Sequence, residues 1–309
     1  MWQALLLIAA TILIGGAQSP ARDDPAAACA QGRTPAARAP EIRTFRSGTL
    51  SLKAQVYRPC GDGPFPVVIY AHGAEEDPTF LFDAVGPVLA ARGVMVVGPH
   101  RRGAGLSADQ GPELFATLES VGQRDGIDAR ARAAVAALEG PHLDDIRAAI
   151  VEARAIPGAD SSRIYLIGNG FGGALAMLAA ERGLGLRAVA NFAGAAATWE
   201  SHAPLRERLL RAASRATVPV YVAQAANDYS TQPTLRIGEA LAAAGRPHRM
   251  RIWPAYGSTA DHGHGFGIFA ADQWAAEVLA FFDEADSQRP VTSATPRAAV
   301  PVAEAEAKQ

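Results

Sequence analysis

Two runs of this chain, FPVVIYAHG at 65–73 and GVMVVGPH at 93–100, are apolar almost without interruption. A strand with one wet face alternates apolar and polar residues, whereas a continuous apolar run has to be covered on both faces. Between the two runs, Phe80 to Arg92 carries apolar residues at helical spacing and stops at Gly93. The same alternation continues: RIYLIGN at 163–169, a helix over 171–182, RAVANFAG at 187–194 and a helix over 204–214. VPVYVAQAAND at 218–228, a helix over 234–244, HRMRIWP at 248–254 and a helix over 270–284 complete it. Upstream, TLSLKAQVY at 49–57 alternates as a half-exposed strand should. Residues 113–139 read as helical with interruptions near Gly122 and Gly126, and 143–155 as a helix stopped by Pro157 and Gly158. Strands alternating with helices predict an α/β fold, a mostly parallel central sheet with helices on both faces.

With 309 residues, 49% of them hydrophobic, the chain can build one large core. The predicted domain covers 41–285, after an Ala/Pro/Arg-rich linker at 18–40 and before a tail of similar composition at 286–309. A formal net charge of −2 gives no electrostatic reason to expect nucleic acid or an anionic membrane surface. At the N-terminus the apolar run from Ala4 to Ile14 has the length of a signal-peptide core, and small residues allow cleavage after Ala17. No Lys or Arg precedes that run, so an uncleaved anchor stays open beside a cleaved signal over 1–17. Either reading implies export, periplasmic or secreted. Export would let Cys29 and Cys60 pair, or they remain two small unpaired residues.

The octapeptide LIGNGFGG at 166–173 has two readings. Gly168, Gly170 and Gly173 fit the glycine spacing of a dinucleotide-binding turn, in which the backbone approaches a pyrophosphate at a helix N-terminus. That motif needs an acid about 20 residues on, after the next strand, and VANFAG ends without one. It also belongs to the first βα unit, whereas this one follows several strands. No cofactor is expected. In the second reading Gly168 and Gly172 flank a strand-to-helix elbow whose central residue is Gly170. Such an elbow works with an acid after a later strand and a histidine near the C-terminus. Asp228 in AQAANDYS and His264 in DHGHGFG stand in that order.

YRPCGDGPFPVVIYAHG, PHRRGAGLS, DSSRIYLIGNGFGG and DHGHGF together resemble landmarks of the α/β-hydrolases, in the dienelactone hydrolase and prolyl-oligopeptidase-like group, across nearly all of 41–285. The resemblance implies Asp228 as triad acid, His264 as base, and Ala74 and Phe171 as donors of oxyanion-hole N–H groups. It places Gly170 where the family has a nucleophilic Ser or Cys. The implied protein is a serine-type hydrolase of esters or related acyl substrates by descent, inactive or weakly active as it stands. A non-catalytic ligand-binding or interaction protein on the same scaffold is the alternative. Its implied partner is a small acyl molecule.

Other residues have plainer readings. Asp261, His262 and His264 sit too close together on one glycine-rich loop, with no second cluster, to suggest a metal site. Ser107 suits a hydrogen bond in a turn, and His72 suits a role in shaping the loop before Ala74. Glu75, Glu76 and Asp77 read as a solvated acidic loop. The stretch 113–139 is expected to cap the pocket.

Overall fold

The computed structural model describes residues 39–288. The signal-peptide, linker and Cys29 readings lie outside those residues, while Cys60 is engaged in a disulfide. Eight strands form one sheet: β1 Glu41–Ser47, β2 Leu50–Tyr57, β3 Phe65–Ala71, β4 Met95–His100, β5 Ala159–Asn169, β6 Val189–Phe192, β7 Val220–Ala225 and β8 His248–Trp253. Their spatial order is β1-β2-β4-β3-β5-β6-β7-β8. β1 pairs antiparallel with β2, β2 pairs antiparallel with β4, and all the remaining pairs are parallel.

Among the described residues ten α-helices accompany the strands: α1 Thr79–Ala90, α2 Leu114–Asp125, α3 Ile127–Glu139, α4 Pro141–Ala155, α5 Phe171–Arg182, α6 Ala203–Ser214, α7 Gln232–Ala243, α8 Ala260–His264, α9 Phe266–Phe269 and α10 Ala271–Ser287. The apolar strand runs feed both faces of the sheet, because successive side chains of a strand point to opposite sides. Val67, Ile69 and Ala71 of β3 join one core with Leu143 and Ile146 of α4, Leu175 of α5 and Leu209 of α6. Val68 and Tyr70 join the other, with Phe82 and Val85 of α1 and Trp274, Val278 and Phe282 of α10. Each such buried large side chain stabilises the fold by about 1.5–3 kcal/mol.

A smaller cluster, Leu114, Leu118 and Ala134, lies on α2 and α3 and packs on Ala74 and Phe171. The expected cap is therefore in contact with the loop after β3 and the start of α5. The helix expected to break near Gly122 runs through it and ends at Gly126, whose φ of +86° suits glycine. A lone glycine weakens a helix by about 1 kcal/mol without breaking it. β1 was not expected from the sequence: it is an edge strand with mostly exposed residues, so its apolar alternation is faint. At the other end, α10 passes residue 285 and makes Asp286 part of the domain. Its carboxylate accepts from Arg163 Nε and Arg187 Nε, both at 2.7 Å, and from the Tyr165 hydroxyl. Among the described residues no helix is long and apolar enough to cross a membrane.

Candidate active site

β5 ends in the middle of the sheet and turns directly into α5. The turn is so tight that side chains are excluded around it. A Cβ on Gly168 would lie 2.1 Å from Gly172 O, and one on Gly172 would lie 2.0 Å from Ala71 O. Gly170, between them, has φ +55° and ψ −118°. Its N–H donates to Phe192 O at 3.0 Å, fixing the turn to β6. Gly173 packs on Asn191 Oδ1, which a Cβ would approach to 2.4 Å. Gly168, Gly172 and Gly173 of this run thus pack against protein, while Gly170 faces His264.

Asp228 and His264 converge on the elbow from the β7–β8 side. His264 Nδ1 lies 3.0 Å from Asp228 Oδ1. The same oxygen accepts Tyr229 N–H at 2.7 Å, and Gln224 Nε2 donates to Oδ2 at 3.2 Å. Burial raises the pKa of Asp228, and the hydrogen bond and charge of His264 pull it part of the way back. On the other edge of the ring, His264 Nε2 would stand 3.1 Å from a Cβ on Gly170. His264 is not in an open loop as DHGHGFG suggested; it ends the five-residue helix α8, whose first turn is capped by Thr259.

Two asparagines to which sequence reading gave no role hold this arrangement. Asn169, buried at the end of β5, donates to His264 O at 3.2 Å. Asn227 donates to Tyr256 O and Thr259 O and accepts from Tyr256 N, bracing the loop into α8. Their signal was adjacency: each directly precedes a residue already singled out.

On the β3–β4 side the loop after β3 passes close to Gly170, with Gly73 Cα 4.0 Å from where its Cβ would be. Ala74 follows in that loop. Phe171 opens α5, where helix geometry leaves the first N–H groups without an intrahelical acceptor. Behind both lies Arg101, fully buried. Its Nε donates to His72 Nε2 at 3.2 Å, one Nη donates to Gly73 O, and the guanidinium lies 5.2 Å from the Phe171 ring centre. Burial, then the charge of Arg101, holds the His72 pKa well below its usual value, so the ring is neutral. His72 thus shapes the loop as expected. Burial also draws Arg101 down to about 10, which leaves it charged at neutral pH.

Glu75 corrects the expectation of a solvated acidic loop: its carboxylate folds back over Gly73 and its Oε2 is buried. Burial pushes its pKa up, opposed in part by backbone hydrogen bonds and by Arg101. Ser107 is buried and its hydroxyl accepts Lys53 N–H at 2.9 Å, joining the loop after β4 to β2. Among the described residues no group of acidic, histidine or cysteine side chains is arranged to hold a metal.

A model of the dienelactone hydrolase family matches residues 111–285, more than half of the chain. The chain belongs to the dienelactone hydrolase family. No curated protein matches the sequence at a significant level. Among solved structures it is similar to the acylaminoacyl peptidase of Pyrococcus horikoshii, at 19% identity and a TM-score of 0.58 over 80% of this chain. That match covers 42% of the peptidase, so this family member spans about two fifths of the larger protein. A putative dienelactone hydrolase from Klebsiella pneumoniae matches at 20% identity and TM-score 0.56, over 79% of this chain and 98% of the other. Est1E of Butyrivibrio proteoclasticus, solved with ferulic acid, matches at 18% identity and TM-score 0.55, over 77% and 99%. At these identities the likeness establishes the α/β-hydrolase fold.

Proposed function

We propose that this dienelactone hydrolase family protein is a hydrolase of esters or related acyl substrates by descent, with Gly170 at the nucleophile position. Asp228 then serves as acid and His264 as base, and the N–H groups of Ala74 and Phe171 receive the oxyanion. The observation that carries this reading is one histidine ring with two faces. His264 Nδ1 is held 3.0 Å from Asp228, and Nε2 would stand 3.1 Å from a Cβ on Gly170.

Without an attacking Oγ, the remaining route is weak hydrolysis by water. His264 Nε2 takes a proton from a water as its oxygen bonds to the acyl carbon, and the carbonyl electrons move onto the oxyanion. On collapse the bond to the leaving oxygen breaks, and His264 returns the proton to it. Proteases stripped of the nucleophile retain roughly 10³–10⁴-fold over water in this way. The missing side chain equally favours a second reading, in which the pocket holds an acyl ligand without turning it over. The apolar run at 4–14 supports export, which cell fractionation would test.

The deciding experiment compares the wild type with Gly170→Ser on short-chain aryl esters and with a fluorophosphonate probe. The expected result is labelling and turnover in the variant alone. A folded variant that neither labels nor hydrolyses any activated ester would falsify the assignment.

A further inference from the structure

Beside the loop after β3 is a small space lined by polar atoms that the chain does not satisfy. Arg101 reaches it from the loop after β4, His142 from the first turn of α4, and Glu75 from beyond β3, with Ala74 and Leu114 completing the wall. Arg101 Nη1, His142 Nδ1 and Glu75 Oε2 are each buried and without a hydrogen-bond partner among the described residues. Arg101 is 1% exposed and His142 5%. One buried unpaired polar atom costs about 1–3 kcal/mol. Three of them, from three separate elements, point to an occupant.

Their chemistry defines it. The guanidinium N–H can only donate, and the Glu75 carboxylate can only accept. His142 is neutral, because burial and then the charge of Arg101 push its pKa down to about 2, and a neutral ring completes either kind of bond. The opposite charges of Arg101 and Glu75 offset each other, so the space does not call for an ion. It admits a group of about the size of one water. A small uncharged group that both accepts and donates, a hydroxyl, meets all of these conditions.

Sheet order says which part of a substrate would bring it. β7 and β8, which lead to Asp228 and His264, lie on one side of β5; β3 and β4, which lead to the cavity, lie on the other. A leaving group must face His264, the source of its proton. The acyl portion is thereby directed to the β3–β4 side, over Phe171, whose ring centre is 5.4 Å from that of His142.

We infer that this cavity is a subsite for a hydroxyl on the acyl portion of the substrate, with Arg101 Nη1 donating to it and Glu75 Oε2 accepting from it. Hydroxyacyl esters are then the preferred class. The inference rests on reading His264 and Gly170 as a hydrolase site, and its test is kept separate from that reading. The wild-type chain, lacking a nucleophile, is titrated by NMR with phenyl glycolate, phenyl methoxyacetate and phenyl acetate. The glycolate is expected to bind at least about tenfold more tightly than the acetate, in the range of one hydrogen bond to a charged group. The methoxyacetate, which has no O–H to give, should bind no better than the acetate.

The advantage disappears in Arg101→Met and in His142→Phe. The second variant leaves the bonds of Arg101 to His72 and Gly73 in place and so covers a failure of the first to fold. Equal constants for glycolate and acetate, an advantage that survives in His142→Phe, or no binding by any of the three esters would overturn the subsite. Glycolate preference together with a Gly170→Ser variant that does not label overturns only the hydrolase reading.

Discussion

Two histidines flank the elbow at Gly170, and each is paired with a charged residue. His264 pairs with the carboxylate of Asp228 and keeps 27% of its side chain exposed. His72 pairs with the guanidinium of Arg101 and keeps 2%. The difference in partner sets what each ring can do. The carboxylate of Asp228 holds Nδ1 of His264 and leaves Nε2 toward the elbow. A buried guanidinium opposes an imidazolium, so His72 stays neutral and serves as a fixed hydrogen-bond partner. In the function proposed above, one flank moves a proton, and the other holds a loop still.

The largest effect that would break this comparison is at the elbow itself. Gly170→Ser should raise ester hydrolysis by a factor on the order of 10⁴–10⁶, the inverse of what deleting such a nucleophile costs. It should also lower stability by about 1–3 kcal/mol, because a residue with a Cβ is strained at positive φ and His264 must shift slightly. Steady-state rates and urea midpoints measure the two sides. In the Gly170→Ser background, Asp228→Asn should lower kcat by about 10⁴, since an amide selects the wrong ring tautomer. A loss below tenfold would remove Asp228 from the proton-moving flank.

The two flanks should also differ in stability. His72→Ala leaves Arg101 buried and short of acceptors, and is expected to cost about 3 kcal/mol or more. His264→Gln, at a partly exposed site, should change stability by less than about 1 kcal/mol. Equal unfolding midpoints for the two variants would erase the distinction. The smallest effect is on pH dependence. Burial pushes His142 down to about 2 and His100 to about 4 in the folded protein. Unfolded, both titrate near about 6.5. The stability carried by their neutral rings is therefore complete above about pH 6.5 and is lost as pH falls through the folded values. His142→Phe should flatten the fall in urea midpoint below that pH.

The sheet was legible because its strands announce themselves. FPVVIYAHG and GVMVVGPH have no polar alternation, and parallel strands covered on both faces leave little else for such runs to be. β1 was not legible, because an edge strand has few buried positions to mark its register. At the site, Asp228 and His264 could be placed from chain order and position after strands. Arg101 and Glu75 could not. Charged residues in a glycine-rich loop read as solvated, and only the tertiary fold shows one under Phe171 and the other folded over Gly73. Asn169 and Asn227 left only their adjacency to Gly170 and Asp228 as a trace, because what they hold is backbone.

The last turn of α10 has a consequence for how the protein is made. Asp286 ties together Arg163 and Tyr165 of β5 and Arg187 just before β6, residues that precede it by 99 to 123 positions. At about 5–20 residues per second of synthesis, those strands wait roughly 5–25 s for their carboxylate. Until it emerges, three basic and phenolic groups at the N-terminal ends of two central strands lack their carboxylate. The domain is therefore locked by nearly the last of its residues to leave the ribosome, and a chain stalled just short of residue 286 would hold an almost complete sheet without its fastening.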